Sequence, residues 1–255
     1  MTSLLALMSP LDLVAAVAIA TLAGLIKGMV GFAMPMILIS GLSTFLAPDL
    51  ALAGLILPTV VTNGMQALRQ GGRAAMASVR QFRVFLLVGL VFLLASAQLV
   101  TSLPTSVFLL VLGIPVAGFA LMQLAGLRFH LSAPSVRIEA AVGAFAGFIG
   151  GLSGVWGPPT VAYLTALDTP KADQMRVQGV IYGLGAVALF AAHIGSGVLR
   201  AETLPFSVAM LAPAICGMWV GQKLHDRVDQ VTFRRATLAV LLLAGINLVR
   251  RGLLV

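Results

Sequence analysis

Any chemistry in this chain has to be built around Lys27, which interrupts an otherwise apolar run flanked by Gly24, Gly28, Gly31 and Pro35. A second cluster, Gly147, Gly150, Gly151, Gly154, Gly157, Pro158 and Pro159, follows the same pattern without the lysine. Glycine lets a backbone leave helical geometry and come close to a ligand or another helix. Proline fits the first turn of a helix, where its missing N–H has no partner to lose. Met34-Pro35 and Gly157-Pro158-Pro159 therefore read as the starts of short helices. The free N–H groups at such a start carry partial positive charge and favour anions. Two starts brought together, with Lys27 beside one of them, would form an anion-selective centre.

The elements that position these residues belong to a membrane protein. Of 255 residues 60% are hydrophobic and 9% charged, against about 45–50% and 25% in soluble domains. Breaking the chain at charge, Pro and Gly clusters leaves ten apolar stretches, near 11–27, 34–46, 50–68, 81–101, 105–125, 138–153, 159–167, 177–197, 203–221 and 236–249. Three of them, 34–46, 159–167 and 138–153, look short for a hydrocarbon core of ~30 Å. The fold class expected is all-α and polytopic. The net charge of +8 would suggest nucleic acid in a soluble chain, but the basic residues occupy gaps between apolar runs and read as topology signals, so no nucleic-acid partner is expected. The single cysteine, Cys216, excludes an intramolecular disulfide, and His130, His193 and His225 share no ligand spacing, so neither metal nor cofactor is expected. No phosphate-binding glycine loop followed by Lys-Ser/Thr is present. Met1 to Asp12 lacks the basic start of a cleaved signal peptide, so its apolar run is expected to stay in the mature protein.

Sliding the sequence on itself exposes a repeat. At an offset of 123, Ala23, Gly24, Ile26, Gly28, Gly31 and Pro35 fall on Ala146, Gly147, Ile149, Gly151, Gly154 and Pro158, six identities in thirteen positions. Two halves follow, 1–125 and 138–255, joined by a linker at 126–137 expected to be cytoplasmic. Each half has five segments, so the second is expected to be inverted relative to the first. Charge supports this. In the first half the basic loop (Arg69, Arg73, Arg80, Arg83) follows the third segment, and in the second (Lys223, Arg227, Arg234, Arg235, with Asp226 and Asp229) it follows the fourth. With Arg128, Arg137, Lys171 and Arg176, twelve of sixteen basic residues fall on the cytoplasmic side; Arg200, Arg250 and Arg251 fall outside.

Inverted repeats with interrupted segments are a transporter architecture whose substrate site lies where the breaks meet. A lysine at mid-membrane costs roughly 2.5–3.5 kcal/mol on insertion scales. Two readings of Lys27 stay open: pairing with an anionic substrate, or snorkelling to the surface at its helix end. Phe32, Ser153 and Trp156 lie inside the breaks, where Trp156 either gates or anchors at an interface. Asn63 and Gln66, three apart on one helical face, and Gln178 and Tyr182 beside Arg176 either line the path or hydrogen-bond between helices at about 0.6 kcal/mol each.

The stretches Gly24-Leu-Ile-Lys-Gly-Met-Val-Gly-Phe-Ala-Met-Pro35 and Gly147-Phe-Ile-Gly-Gly-Leu-Ser-Gly-Val-Trp-Gly-Pro-Pro159 resemble the sulfite exporter TauE/SafE family (TSUP). So does Gly217-Met-Trp-Val-Gly221 followed by Asp229-Gln-Val-Thr-Phe-Arg-Arg235. The resemblance covers nearly the whole chain and implies a bacterial inner-membrane carrier of small sulfur-containing or organic anions such as sulfite, sulfonates or sulfoacetate. The sequence departs from the family's usual Gly-Gly-Gly run, having Phe32-Ala-Met34 and Val155-Trp-Gly157 instead. Gly151-Leu-Ser-Gly154 with Ala192-His193 also resembles the serine and histidine of rhomboid intramembrane proteases. However, the glycines belong to the repeat, and Val30 stands at the serine's counterpart. The expectation is a secondary transporter, not an enzyme, moving a small anion across a lipid bilayer by alternating access, with an anion channel as the alternative and a homo-oligomer left open. The substrate site would use Lys27, Gly28, Gly31, Phe32, Pro35, Asn63, Gln66, Ser153, Gly154, Trp156, Gly157, Pro158, Gln178 and Tyr182.

Overall fold

The computed structural model describes residues 8–127, 130, 131, 133–224 and 230–254. Arg128 and the charged run His225, Asp226, Arg227 and Asp229 lie outside the described residues, as do the side chains of Lys171 and Arg234. All regular structure among the described residues is helical: α1 (Pro10–Val30), α2 (Met34–Leu42), α3 (Pro48–Leu68), α4 (Gly72–Gln81), α5 (Arg83–Ala97), α6 (Thr105–Leu124), α7 (Val136–Ser153), α8 (Gly157–Ala166), α9 (Lys171–Gly195), α10 (Leu204–Ala209), α11 (Leu211–Leu224) and α12 (Gln230–Leu254). The starts are set by local chemistry. Ser9 and Asp12 form a reciprocal capping box at α1. Proline occupies the first turn of α1, α2, α3, α8 and α10.

Six helical stretches are long and apolar enough to cross a bilayer, and α4 with α5, bent by 78° at Phe82, would make a seventh. The chain is a multi-pass membrane protein. Its outer faces carry large apolar side chains, with Leu11 78% and Val91 64% exposed, an apolar exterior of the kind a lipid bilayer covers. Helix α7, at 18 residues, is long enough to span, so the segment 138–153 is not a short one. Of the three segments expected to be short, α2 and α8, nine and ten residues, are too short to span, covering about 14 Å at 1.5 Å per residue. Helix α4, within the stretch expected as a basic loop, is a surface helix tied down by Arg176 of α9, whose guanidinium donates to Gln70 (2.9 Å) and Ser78 (3.1 Å).

Each long helix has one main partner. Helices α1 and α11 pack together, as do α5 and α7, α3 and α9, and α6 and α12. Glycines bring these backbones close. A methyl on Gly24 would meet the Ala214 carbonyl and one on Gly28 that of Met218, so α1 and α11 run parallel. Gly143, Gly147 and Gly151 likewise face Phe85, Gly89 and Leu93, making α5 and α7 parallel. Gly179 lies on Gln66 and Gly183 on Asn63, so α3 and α9 are antiparallel; Gly113 against Gly245 and Gly252 against Ser106 give the same for α6 and α12.

This packing defines two hairpins. Gly41 of α2 lies beside Ile19 of α1, so α2 folds back along α1. Tyr163 near the end of α8 stacks on Phe85, whose N–H donates to Glu139 in the first turn of α7 at 3.0 Å, so α8 folds back along α7. The hairpins lead into α3 and α9, which are antiparallel, and therefore enter from opposite ends of the bundle. Arg200 lies 3.9 Å from Asp49 at the start of α3, and Arg251 donates to the Ser43 carbonyl. Both mark the end opposite Arg176 and α4.

Candidate functional site

The hairpin tips have the same construction 123 residues apart. Helix α1 ends at Val30 and α2 starts at Met34, while α7 ends at Ser153 and α8 starts at Gly157. Gly31 and Gly154 both terminate their helices at positive φ, +82° and +70°, with N–H groups donating to the Lys27 and Gly150 carbonyls. That is the left-handed C-terminal cap only glycine adopts without strain. Ala33, which caps the start of α2, also has positive φ, +78°. A side chain there costs on the order of 1–2 kcal/mol relative to glycine, so the path of the first tip is held against local strain.

Both tips reach the crossing of α3 and α9. Gly31 approaches Gln66 and Met175 on one side of it, and Gly154 approaches Leu55 and Leu189 on the other. Between them lies a small cavity, about 10 Å³, room for roughly one water. Lys27, Phe32, Ala33, Pro35 and Met36 from the first half line it with Asn63 of α3, and Gly154, Val155, Trp156, Gly157 and Tyr182 come from the second. Lys27 is buried, 2% exposed, and its Nζ donates to Asn63 Oδ1. Among the described residues no carboxylate lies within ion-pair distance of it. The side chain turns inward, away from the surface that a snorkelling lysine would seek.

Around Lys27 the remaining polar groups hold one another. The Asn63 amide nitrogen donates to the Tyr182 carbonyl at 3.4 Å, and the Tyr182 hydroxyl to the Gly157 carbonyl at 3.3 Å. The breaks are thus tied across the α3–α9 crossing through one lysine, one asparagine and one tyrosine. The Trp156 ring sits 6.4 Å from that of Tyr182.

Of the residues expected at the site, Lys27, Phe32, Pro35, Asn63, Gly154, Trp156, Gly157 and Tyr182 surround this cavity. The others have different surroundings. Gly28 packs against α11 and Gly31 forms the cap. Gln66 donates to the Met175 carbonyl at 3.1 Å, and Gln178 is buried in α9. Pro158 lines an outer groove with Phe145 and Ala162. Ser153 donates to the Ile149 carbonyl (2.6 Å) and accepts from the Val155 N–H (3.1 Å). His193 meets the Gly151 carbonyl (3.1 Å) and Ser196 (2.8 Å). The two residues that suggested a protease are therefore each engaged with other partners. Ala33, Met36 and Val155 join the site without having been expected. Ala33 and Val155 lie within the breaks, and Met36 follows Pro35, so proximity to the tips was their only sequence signal.

A family model described as "Sulfite exporter TauE/SafE" matches residues 16–248, which takes in both hairpins and α3 to α11. No curated protein and no solved structure matches the chain.

Proposed function

The chain belongs to the sulfite exporter TauE/SafE family, a family of membrane transporters of sulfite or related anions, and we propose that it is an alternating-access carrier whose anion site is the cavity between the two hairpin tips. The observation that carries this reading is that Lys27, buried in the bundle with no carboxylate partner among the described residues, faces a cavity shared by both breaks. A small anion would replace Asn63 as the partner of the ammonium and meet the free N–H groups at the start of α2.

Several features support two inverted repeats. The breaks coincide at one offset, the hairpins enter from opposite ends, and the equivalent helices α3 and α9 run antiparallel. In such a design one helix bundle rocks against another around a fixed site. The parallel pairs α1–α11 and α5–α7, each locked by glycine contacts between a hairpin and the other half, are the natural rigid units. The cavity is too small for any oxyanion, so binding requires the tips to separate, first toward one end of the bundle and then the other. The basic groups around Arg69, Arg80 and Arg176 mark the cytoplasmic end of a bacterial inner-membrane protein by the positive-inside rule.

Counterflow in proteoliposomes tests the carrier reading. Uptake of a labelled sulfonate is expected to saturate with concentration and to accelerate several-fold when unlabelled sulfonate is preloaded inside. Flux that rises linearly and ignores the preloaded anion is what a pore gives, and it would overturn the proposal.

A further inference from the structure

The walls of the cavity specify what kind of anion fits, if it is the anion site as read above. Lys27 is the one cationic side chain among the described residues that line it, which balances a single negative charge. The neighbouring polar groups are already engaged. The Asn63 amide is held by Tyr182 and the Tyr182 hydroxyl by Gly157, and the Thr160 hydroxyl donates to the Trp156 carbonyl at 2.8 Å. Proline also thins the donors at the helix starts. Pro35 removes one N–H from α2, whereas Pro158 and Pro159 remove two from the first turn of α8. Charge and donors therefore concentrate on the first-half side.

The second-half side is apolar for a structural reason. The counterpart of Lys27 at the repeat offset is Gly150, and the counterpart of Trp156 is Ala33. The room a side chain would need at Gly150 is filled by the indole, since a methyl there would lie 2.5 Å from Trp156 Cε3. Gly185 leaves room for the other edge of the ring, from which an added methyl would lie 3.4 Å. One tip thus contributes a cation beside a small residue, and the other a large aromatic ring beside a bare backbone.

We propose that the site selects a small organic monoanion with an apolar tail, its head on Lys27 and the start of α2 and its tail against Trp156, over inorganic oxyanions. An inorganic dianion would have to shed water on every side and would leave one charge uncompensated in a buried site, which is costly. An alkyl tail instead gains by burial.

Calorimetric titration of the full chain in nanodiscs, with methane-, ethane-, propane- and butane-1-sulfonate and with sulfite and sulfate, tests this. Wild-type affinity is expected to rise about three- to fourfold per added methylene, with sulfite weaker than ethanesulfonate. Trp156→Ala should flatten the chain-length dependence while methanesulfonate still binds; Trp156→Phe, a smaller disturbance of the fold, should keep much of it. Sulfite binding as tightly as butanesulfonate, with Lys27→Met abolishing both, would leave the anion site standing and overturn the tail pocket alone. A chain-length dependence that survives Trp156→Ala would also overturn it. If no anion binds, or if Lys27→Met binds the whole series unchanged, the reading of the cavity itself fails.

Discussion

Replacing Lys27 with methionine is expected to abolish anion transport, by about 100-fold or more, while the protein still folds. Methionine keeps the apolar stem and removes the ammonium. The loss follows from position: Lys27 is buried, faces the cavity between the breaks and donates to Asn63. Truncating one partner of a buried charge-assisted contact typically costs about 2–5 kcal/mol, and the lower end of that range already corresponds to a factor of ~30. Folding is spared because among the described residues no carboxylate would be left unpaired, and because the cost of orphaning Asn63 Oδ1, about 1–3 kcal/mol, is offset when a methionine replaces a buried ammonium and its desolvation penalty is removed. Flux assays with melting curves on the same preparations separate the two effects. A variant that transports normally would remove Lys27 from the site, and one that fails to fold would make its role structural.

The second large effect concerns the scaffold. Gly147→Leu should prevent α5 and α7 from packing, because a side chain at 147 would occupy the space of the Gly89 backbone. A flexible neighbour could turn aside, but a backbone atom moves only with its whole helix. Overpacking commonly costs about 1–3 kcal/mol, and this site belongs at the upper end or beyond. The expected result is aggregation on size-exclusion chromatography or a melting temperature lowered by many degrees. Gly64→Ala on α3, where an added methyl meets nothing within 4 Å, is the control and should leave melting unchanged or slightly raised. Equal damage from both variants would show that close approach of the backbones does not govern these positions, since helix propensity alone favours both substitutions.

Both predictions depend on telling one glycine from another, and here the sequence is legible only in part. The breaks could be located because proline and left-handed glycine act locally. Gly31 with Pro35 and Gly154 with Pro158 mark the helix ends wherever the rest of the chain goes. The repeat made the same boundaries visible twice. Gly28 and Gly31, three residues apart, look alike in sequence, yet one faces α11 and the other caps α1. That difference depends on which helix arrives at which face, information carried by α11 almost two hundred residues later. The inward turn of Lys27 was undecidable for the same reason, since Asn63 had to be brought to it by the α3–α9 crossing. Helix α4 was hidden by Gly71 and Gly72 and by its arginines, which read as a loop until α9 supplied Arg176 to hold it.

Both tips are expected to enclose one anion. Crystals of the protein grown with 2-bromoethanesulfonate test it most directly, because bromine can be located by its anomalous scattering. A bromine peak is expected inside the cavity between the starts of α2 and α8, with the sulfonate about 3 Å from Lys27 Nζ and residues of both breaks around it. A peak confined to the outer groove beside Phe145 and Ala162, with nothing at Lys27, would contradict it.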